Sequence, residues 1–176
     1  SLEESLTALQ TDYLDLYMLH YGDPEILDID EVADEMQALR QSGKVRSIGV
    51  SVYTVEETEK AIRSGVWNAV QLPFNLMDQS QRRLFALAHQ NGVGLIVRSV
   101  LMKGLLSNRA NGLHPALQKV EQHIQQYHQL LDNSCNSLPE LAVKFALSYP
   151  EVSAVLVGID KQEYLAHCLK AADGNY

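Results

Sequence analysis

The chain has 176 residues, 46% of them apolar, enough to bury one sizeable core and too few to ask for two, so 1–176 is read as a single domain. A formal net charge of -8, with 14 Lys and Arg that form no run or stripe, disfavours nucleic acid and anionic membrane as partners. No apolar run reaches the roughly 18–20 residues of a membrane helix, the opening SLEESLTALQ lacks a signal peptide's basic start and apolar middle, and Cys135 and Cys168 form no CxxC pair, so a cytoplasmic protein with reduced thiols is expected.

Capping-box spacing, a short polar residue answered three positions later by Glu or Gln, occurs six times: Ser1/Glu4, Asp28/Glu31, Thr54/Glu57, Asp78/Gln81, Ser137/Glu140 and Asp160/Glu163. These starts alternate with apolar runs of strand length. The first helix is predicted over 2–10, and strand 13–20 (YLDLYMLH) follows it. A helix over 29–42 stops at Gly43 before strand 47–52, and one over 55–64 stops at Gly65 before strand 69–72. A helix over 79–91 stops at Gly92 and leads into strand 94–99. The stretch 104–136, with a Gln-rich helix over 115–132, reads as an insertion after a late strand. Helix 138–149, strand 154–157 and helix 161–172 complete the series. Strands apolar on both faces, separated by helices of crossover length, imply a parallel sheet covered by helices. The class is α/β. A barrel and a doubly wound open sheet both satisfy the pattern, but no GxGxxG turn follows any strand.

Functional groups of parallel α/β folds gather where the strands end. The residues there are His20, Ser51 with Val52, Gln71 with Asn75, and Arg98 with Ser99. His20 shares strand parity with Leu16 and Met18, which predicts that it points to the same buried face at the strand's exit. The Gln71 amide in an apolar strand needs a hydrogen-bond partner, either backbone or a ligand carboxamide. His114, His123 and His128 do not share a helical face and read as solvated side chains, not a metal site. The acids of DIDEVADE suit a helix start, and Trp67 and Phe74 suit the core. Asp12 and Asp15 flank the first strand, where structural hydrogen bonds explain them as well as catalysis does.

The segment SLEESLTALQTDYLDLYMLH resembles the stretch of the aldo/keto reductase family in which a helix of pattern SLxxSLxxLxTDYxDLY leads into a strand ending in the family histidine. GKVRSIGVSVYT, VQLPFNLMDQ, RSVLMKGLL and LAVKFALSYPEVSAVLVG resemble later family segments in the same order. The resemblance implies a partial (β/α)8 barrel of about five parallel strands, truncated at its N-terminal side. It also implies an NAD(P)-dependent oxidoreductase that moves hydride between a nicotinamide and an aldehyde, ketone or sugar-like alcohol. A second reading is a nucleotide-binding or interaction module with the same fold and no turnover. A third is another barrel enzyme whose site lies in 104–136.

Carried over residue by residue, the resemblance makes His20 the histidine that polarises a substrate carbonyl. It gives the nicotinamide carboxamide to Ser51 and Gln71, and the cofactor pyrophosphate to the turn containing Ser99, Leu101, Gly104 and Leu105. The chain also departs from the family. Val52 stands where many members have asparagine, and Arg98 stands where a tyrosine often stacks on the nicotinamide, a place its guanidinium plane could take. Gly158, Tyr164, His167 and Cys168 stand near positions where NADPH-preferring members clasp the 2′-phosphate. Only Lys161 supplies charge there, so the cofactor is read as NADP or NAD without strong selection. The family's catalytic tyrosine, lysine and aspartate have no match here, and Tyr13, Tyr17 and Tyr53 do not fit the tyrosine's motif. Little turnover is expected from these residues alone, and open sheet edges would invite self-association.

Overall fold

The computed structural model describes residues 1–107, 112–132, 135–159, 161–174 and 176, with backbone only at Glu163 and His167. Five parallel strands form one sheet in chain order, β1 (Leu14–Leu19), β2 (Val45–Ser51), β3 (Ala69–Pro73), β4 (Gly94–Arg98) and β5 (Val152–Val155). The α-helices are α1 (Leu2–Leu9), α2 (Asp30–Gln41), α3 (Val55–Arg63), α4 (Phe85–Gln90), α5 (Gln118–Tyr127), α6 (Leu138–Leu147) and α7 (Gln162–Ala171). The chain divides into two compact units, 1–72 with 80–96, and 73–79 with 97–176.

In the first unit β1 pairs with β2 in the register Leu16↔Ser47 and Met18↔Gly49, and β2 pairs with β3 in the register Gly49↔Ala69 and Ser51↔Gln71. Gly49 is required by close approach, because a Cβ there would lie 2.9 Å from the Ala69 carbonyl oxygen and 3.2 Å from Met18 Cε. Ile48, Val50, Val70, Leu72 and Leu95 are at 0% exposure, and each fully buried side chain of this size stabilises by roughly 1.5–3 kcal/mol over exposure. The glycines read as helix stops, Gly43, Gly65 and Gly92, all take positive φ. In the second unit Phe74 stacks on Phe145 at 5.4 Å and meets Tyr149 edge-on at 5.2 Å, and Ile124, Leu106, Ala142 and Ala146 are fully buried.

Two of the expected capping boxes form in full, at Ser1/Glu4 and Thr54/Glu57. At Ser137/Glu140 the serine hydroxyl accepts from the Glu140 N–H, but the Glu140 carboxylate accepts from the Asn136 N–H one residue earlier. Two expected boxes do not form. Asp23 Oδ1 accepts from the Ile26 N–H and starts a 3-10 turn, Ile26–Asp28, that occupies the segment where Asp28 was to cap a helix. Asp28 instead pairs with Lys60, and α2 begins at Asp30 after Ile29 without a side-chain cap. At Asp78 the N–H is taken by Asn75 Oδ1, Gln81 turns to the Tyr53 carbonyl, and the predicted helix 79–91 opens as the 3-10 turn Ser80–Leu84 before α4. The Asp160/Glu163 pair lies outside the described residues.

The predicted helix 115–132 resolves into α5 between the short 3-10 turns Pro115–Leu117 and His128–Leu130, with His114 Nδ1 accepting the Ala116 N–H at the start. Glu121 accepts the N–H groups of Gly112 and Leu113, and Tyr127 donates its hydroxyl to the Leu76 carbonyl at 2.9 Å. Strand β5 starts at Val152, two residues ahead of the predicted 154–157. Among the described residues no helix is long and apolar enough to cross a membrane.

Candidate active site

In the first unit the ends of β1, β2 and β3 carry the polar residues. His20 directly follows β1 and is exposed; its parity neighbours Leu16 and Met18 are half-buried, so the expected burial of this face is only partial. Ser51, 7% exposed, donates its hydroxyl to Gln71 Oε1 at 3.2 Å, a bond dictated by their direct pairing across β2 and β3. The backbone partner expected for the Gln71 amide is therefore replaced by a side chain. Gln71 Nε2 faces Met18 Sδ at 4.0 Å, a weak acceptor that leaves the donor open to a better one. Val52 is fully buried and offers no polar group.

The turn after β2 is held from both sides. Glu57 Oε2 accepts the N–H groups of Tyr53 at 2.7 Å and Thr54 at 2.9 Å, and Gln81 Nε2 donates to the Tyr53 carbonyl at 3.1 Å. Tyr21 meets Tyr53 edge-on, with ring centroids 5.3 Å apart, and its hydroxyl points to Glu57 Oε1 at 3.5 Å. Burial of the hydroxyl, then the negative charges of Glu57 and Asp23, pushes the Tyr21 phenol above its usual value. Tyr21 and Gln81 were not recognised as site residues from sequence. Glu57 was legible as a cap, but its grip on Tyr53 was not, because nothing in the spacing announces it.

In the second unit the turn after β4 takes an unusual course. Ser99, Met102 and Lys103 have φ of 61°, 45° and 55°, and Gly104 follows at 91°. Left-handed geometry costs a non-glycine residue roughly 1–2 kcal/mol, and such strain gathers at functional turns. Backbone bonds Met102 N–H to Ser99 O and Gly104 N–H to Leu101 O close the turn, while the N–H groups of Leu101 and Lys103 have no partner among the described residues. Leu101 at φ -91° followed by left-handed Met102, with these N–H groups, forms a concavity suited to an anionic oxygen. Asn75, 4% exposed, braces the turn by donating to the Ser99 carbonyl at 3.3 Å, and Arg98 donates to Ser99 Oγ at 3.3 Å. Lys161 is exposed at the start of α7 with its ammonium 5.4 Å from the Tyr164 ring centre. The structure thus brings together Ser51 with Gln71, Arg98 with Ser99, and Leu101 with Gly104.

Asp15 pairs with Arg46, His123 Nε2 lies 3.0 Å from the Tyr127 hydroxyl, and Trp67 and Phe74 are in the core as expected. Cys135 and Cys168 are free thiols whose pKa burial pushes up, which suppresses the nucleophilic thiolate. Among the described residues no cluster of His, Cys, Asp and Glu could hold a metal ion. His167 lies outside the described side chains.

Five parallel strands in chain order, alternating with helices and carrying polar residues where they end, define the class as a parallel α/β protein. The aldo/keto reductase family model matches residues 1–175, and the chain belongs to that family. It is 26% identical over 182 residues to the uncharacterized oxidoreductase YqkF of Bacillus subtilis, covering 98% of this chain and 59% of the relative. It is 25% identical over 188 residues to the NADH-specific methylglyoxal reductase of Escherichia coli, covering 97% of this chain and 58% of that protein. The holo form of the aldo-keto reductase AKR11C1 from Bacillus halodurans superposes with a TM-score of 0.82 at 25% identity, over 98% of this chain and 60% of that one. The fold is that of a partial (β/α)8 barrel, and the chain spans about three fifths of the length of these relatives.

Proposed function

We propose that this chain is part of an NAD(P)-dependent oxidoreductase acting in the cytoplasm on an aldehyde, ketone or sugar-like alcohol. The observation that carries the reading is the Ser51–Gln71 pair: the serine holds the amide oxygen, and among the described residues the NH2 group faces a thioether. A nicotinamide carboxamide supplies the oxygen that this donor lacks. When bound, the nicotinamide ring supplies or accepts the hydride. Ser51 and Gln71 would hold its carboxamide and so fix which ring face meets the substrate. Arg98 would lay its guanidinium plane against the ring, and the backbone of Ser99, Leu101 and Gly104 would receive the pyrophosphate. His20 would donate to the substrate oxygen.

Lys161 would bring one positive charge to an adenosine phosphate, and the cofactor is read as NADP or NAD without strong selection. The tyrosine, lysine and aspartate of the family's catalytic group have no match in these residues. Loss of a positioned acid costs a factor of roughly 10²–10⁴, so the isolated chain is expected to bind nucleotide with little turnover. The outer edges of β1 and β5 are the places where self-association would occur. A second reading is a nucleotide-binding module with the same fold and no chemistry. The test is the coding sequence ahead of Ser1 together with an assay of carbonyl-dependent NAD(P)H oxidation by the whole product. Strand-borne Asp, Tyr and Lys with activity are expected; their absence, with nucleotide binding retained, would leave the module.

A further inference from the structure

The segment 74–79, which follows β3, and the turn after β4 both lie in the second unit. Phe74 anchors the segment, fully buried with its ring against Phe145 and Tyr149, and the Phe74 N–H donates to the Arg98 carbonyl at 3.2 Å. Asn75, 4% exposed, ties the segment to the turn. Its Oδ1 accepts the N–H groups of Met77 and Asp78, both at 2.9 Å, and its Nδ2 donates to the Ser99 carbonyl at 3.3 Å. The amide cannot turn over, because that would set its NH2 group against two N–H donors. The Ser99 carbonyl also accepts the Met102 N–H at 2.9 Å, so the bond from Asn75 lands on the atom that closes the left-handed bend. From α5, Tyr127 donates to the Leu76 carbonyl at 2.9 Å, and with that hydrogen committed, His123 Nε2, 3.0 Å away, must donate to the phenol oxygen. Side chains from α5 and from the exit of β3 thus converge on a backbone path that three non-glycine residues adopt against their own preference.

We propose that Asn75 and Tyr127 are positioning residues for the turn after β4: through the Ser99 and Leu76 carbonyls they keep the Leu101 and Lys103 N–H groups preset for pyrophosphate oxygens. The inference rests on the reading of that turn as the pyrophosphate site. Peptide donors favour a ligand most when they are held before it arrives, since a turn that relaxes when empty must be bent again on binding. Here the atoms held by the side chains belong to the same short stretch of backbone that does the binding.

NMR titration of the isotope-labelled chain with ADP-ribose and with inorganic pyrophosphate tests the role. In the wild type the Leu101 and Lys103 amide signals are expected to be single in the free chain and to shift with both ligands. Asn75→Ala should weaken both ligands about tenfold and Tyr127→Phe about threefold, with these two amide signals broadened in the free variants and sharpened at saturation. Ile124→Val, which trims a fully buried side chain of α5 but keeps the Tyr127 hydroxyl, should lower stability and leave ADP-ribose affinity unchanged. If Asn75→Ala does not fold by circular dichroism, Tyr127→Phe against Ile124→Val decides alone. Unchanged affinity in Tyr127→Phe, or a matching loss in Ile124→Val, would overturn the positioning role and leave the pyrophosphate reading in place. Wild-type Leu101 and Lys103 signals that ignore both ligands would overturn the pyrophosphate reading and the positioning role with it.

Discussion

The turns that follow β2 and β4 solve opposite problems. After β2 the backbone is satisfied by side chains: Glu57 and Gln81 take the polar groups of Tyr53 and Thr54, and what faces outward is a set of fixed side chains. After β4 the backbone is bent through Ser99, Met102 and Lys103 at positive φ, and the N–H groups of Leu101 and Lys103 have no partner among the described residues. The first turn presents chemistry carried by residue type. The second presents peptide donors, which many sequences could provide if the bend were kept. Under the proposed function, the former would serve a nicotinamide carboxamide and a substrate, and the latter would receive phosphate oxygens.

The largest expected effect breaks the first turn. Glu57→Ala strips the acceptor from two N–H groups at the start of α3 and should lower stability by about 2–3 kcal/mol, read as a lower urea midpoint with unchanged slope. Next, Gln71→Leu should weaken NADH and NADPH about tenfold while leaving ADP-ribose binding unchanged, since only the nicotinamide end loses a hydrogen bond. A uniform loss for all three nucleotides would show that Gln71 acts through the sheet and not through the carboxamide.

Smaller effects sharpen the account of the second unit. Tyr127→Phe removes the bond from α5 to the Leu76 carbonyl and should cost about 1 kcal/mol. Burial raises the Tyr127 pKa above 10.0, so its contribution to stability is fully present below about pH 10 and is lost as pH rises through the higher folded value. The wild-type chain should therefore lose the difference from Tyr127→Phe only in alkaline urea titrations. The smallest change is Lys103→Gly, which relieves left-handed strain and should stabilise by about 0.5 kcal/mol, with nucleotide affinity retained because the backbone path is retained.

Most of the fold was legible because its signals are local. Thr54 and Glu57 cap a helix within one turn of chain, and glycines 43, 65 and 92 mark helix ends where positive φ is needed. Reading failed where a competing partner intervened: Asp28 is drawn to the distant Lys60 and Gln81 to the distant Tyr53 carbonyl, while Asp78's N–H is taken by Asn75 only three residues back. The site shows the same division. Ser51 and Gln71 were nameable from strand position and family resemblance, but their mutual bond follows from β2–β3 register, which is a tertiary fact. The strained path of Ser99, Met102 and Lys103 was hidden because none of the three is glycine, the residue that would have announced it.

The central claim is that these residues carry the nicotinamide-binding chemistry of the family. The most direct measurement is a titration of the chain with NADPH and NADH, followed by nucleotide fluorescence, in wild type and in Gln71→Leu. Saturable binding of both nucleotides, with affinities within about tenfold of each other and weakened by the substitution, is the result predicted. No saturable binding of either nucleotide, or binding that Gln71→Leu leaves untouched, would contradict it.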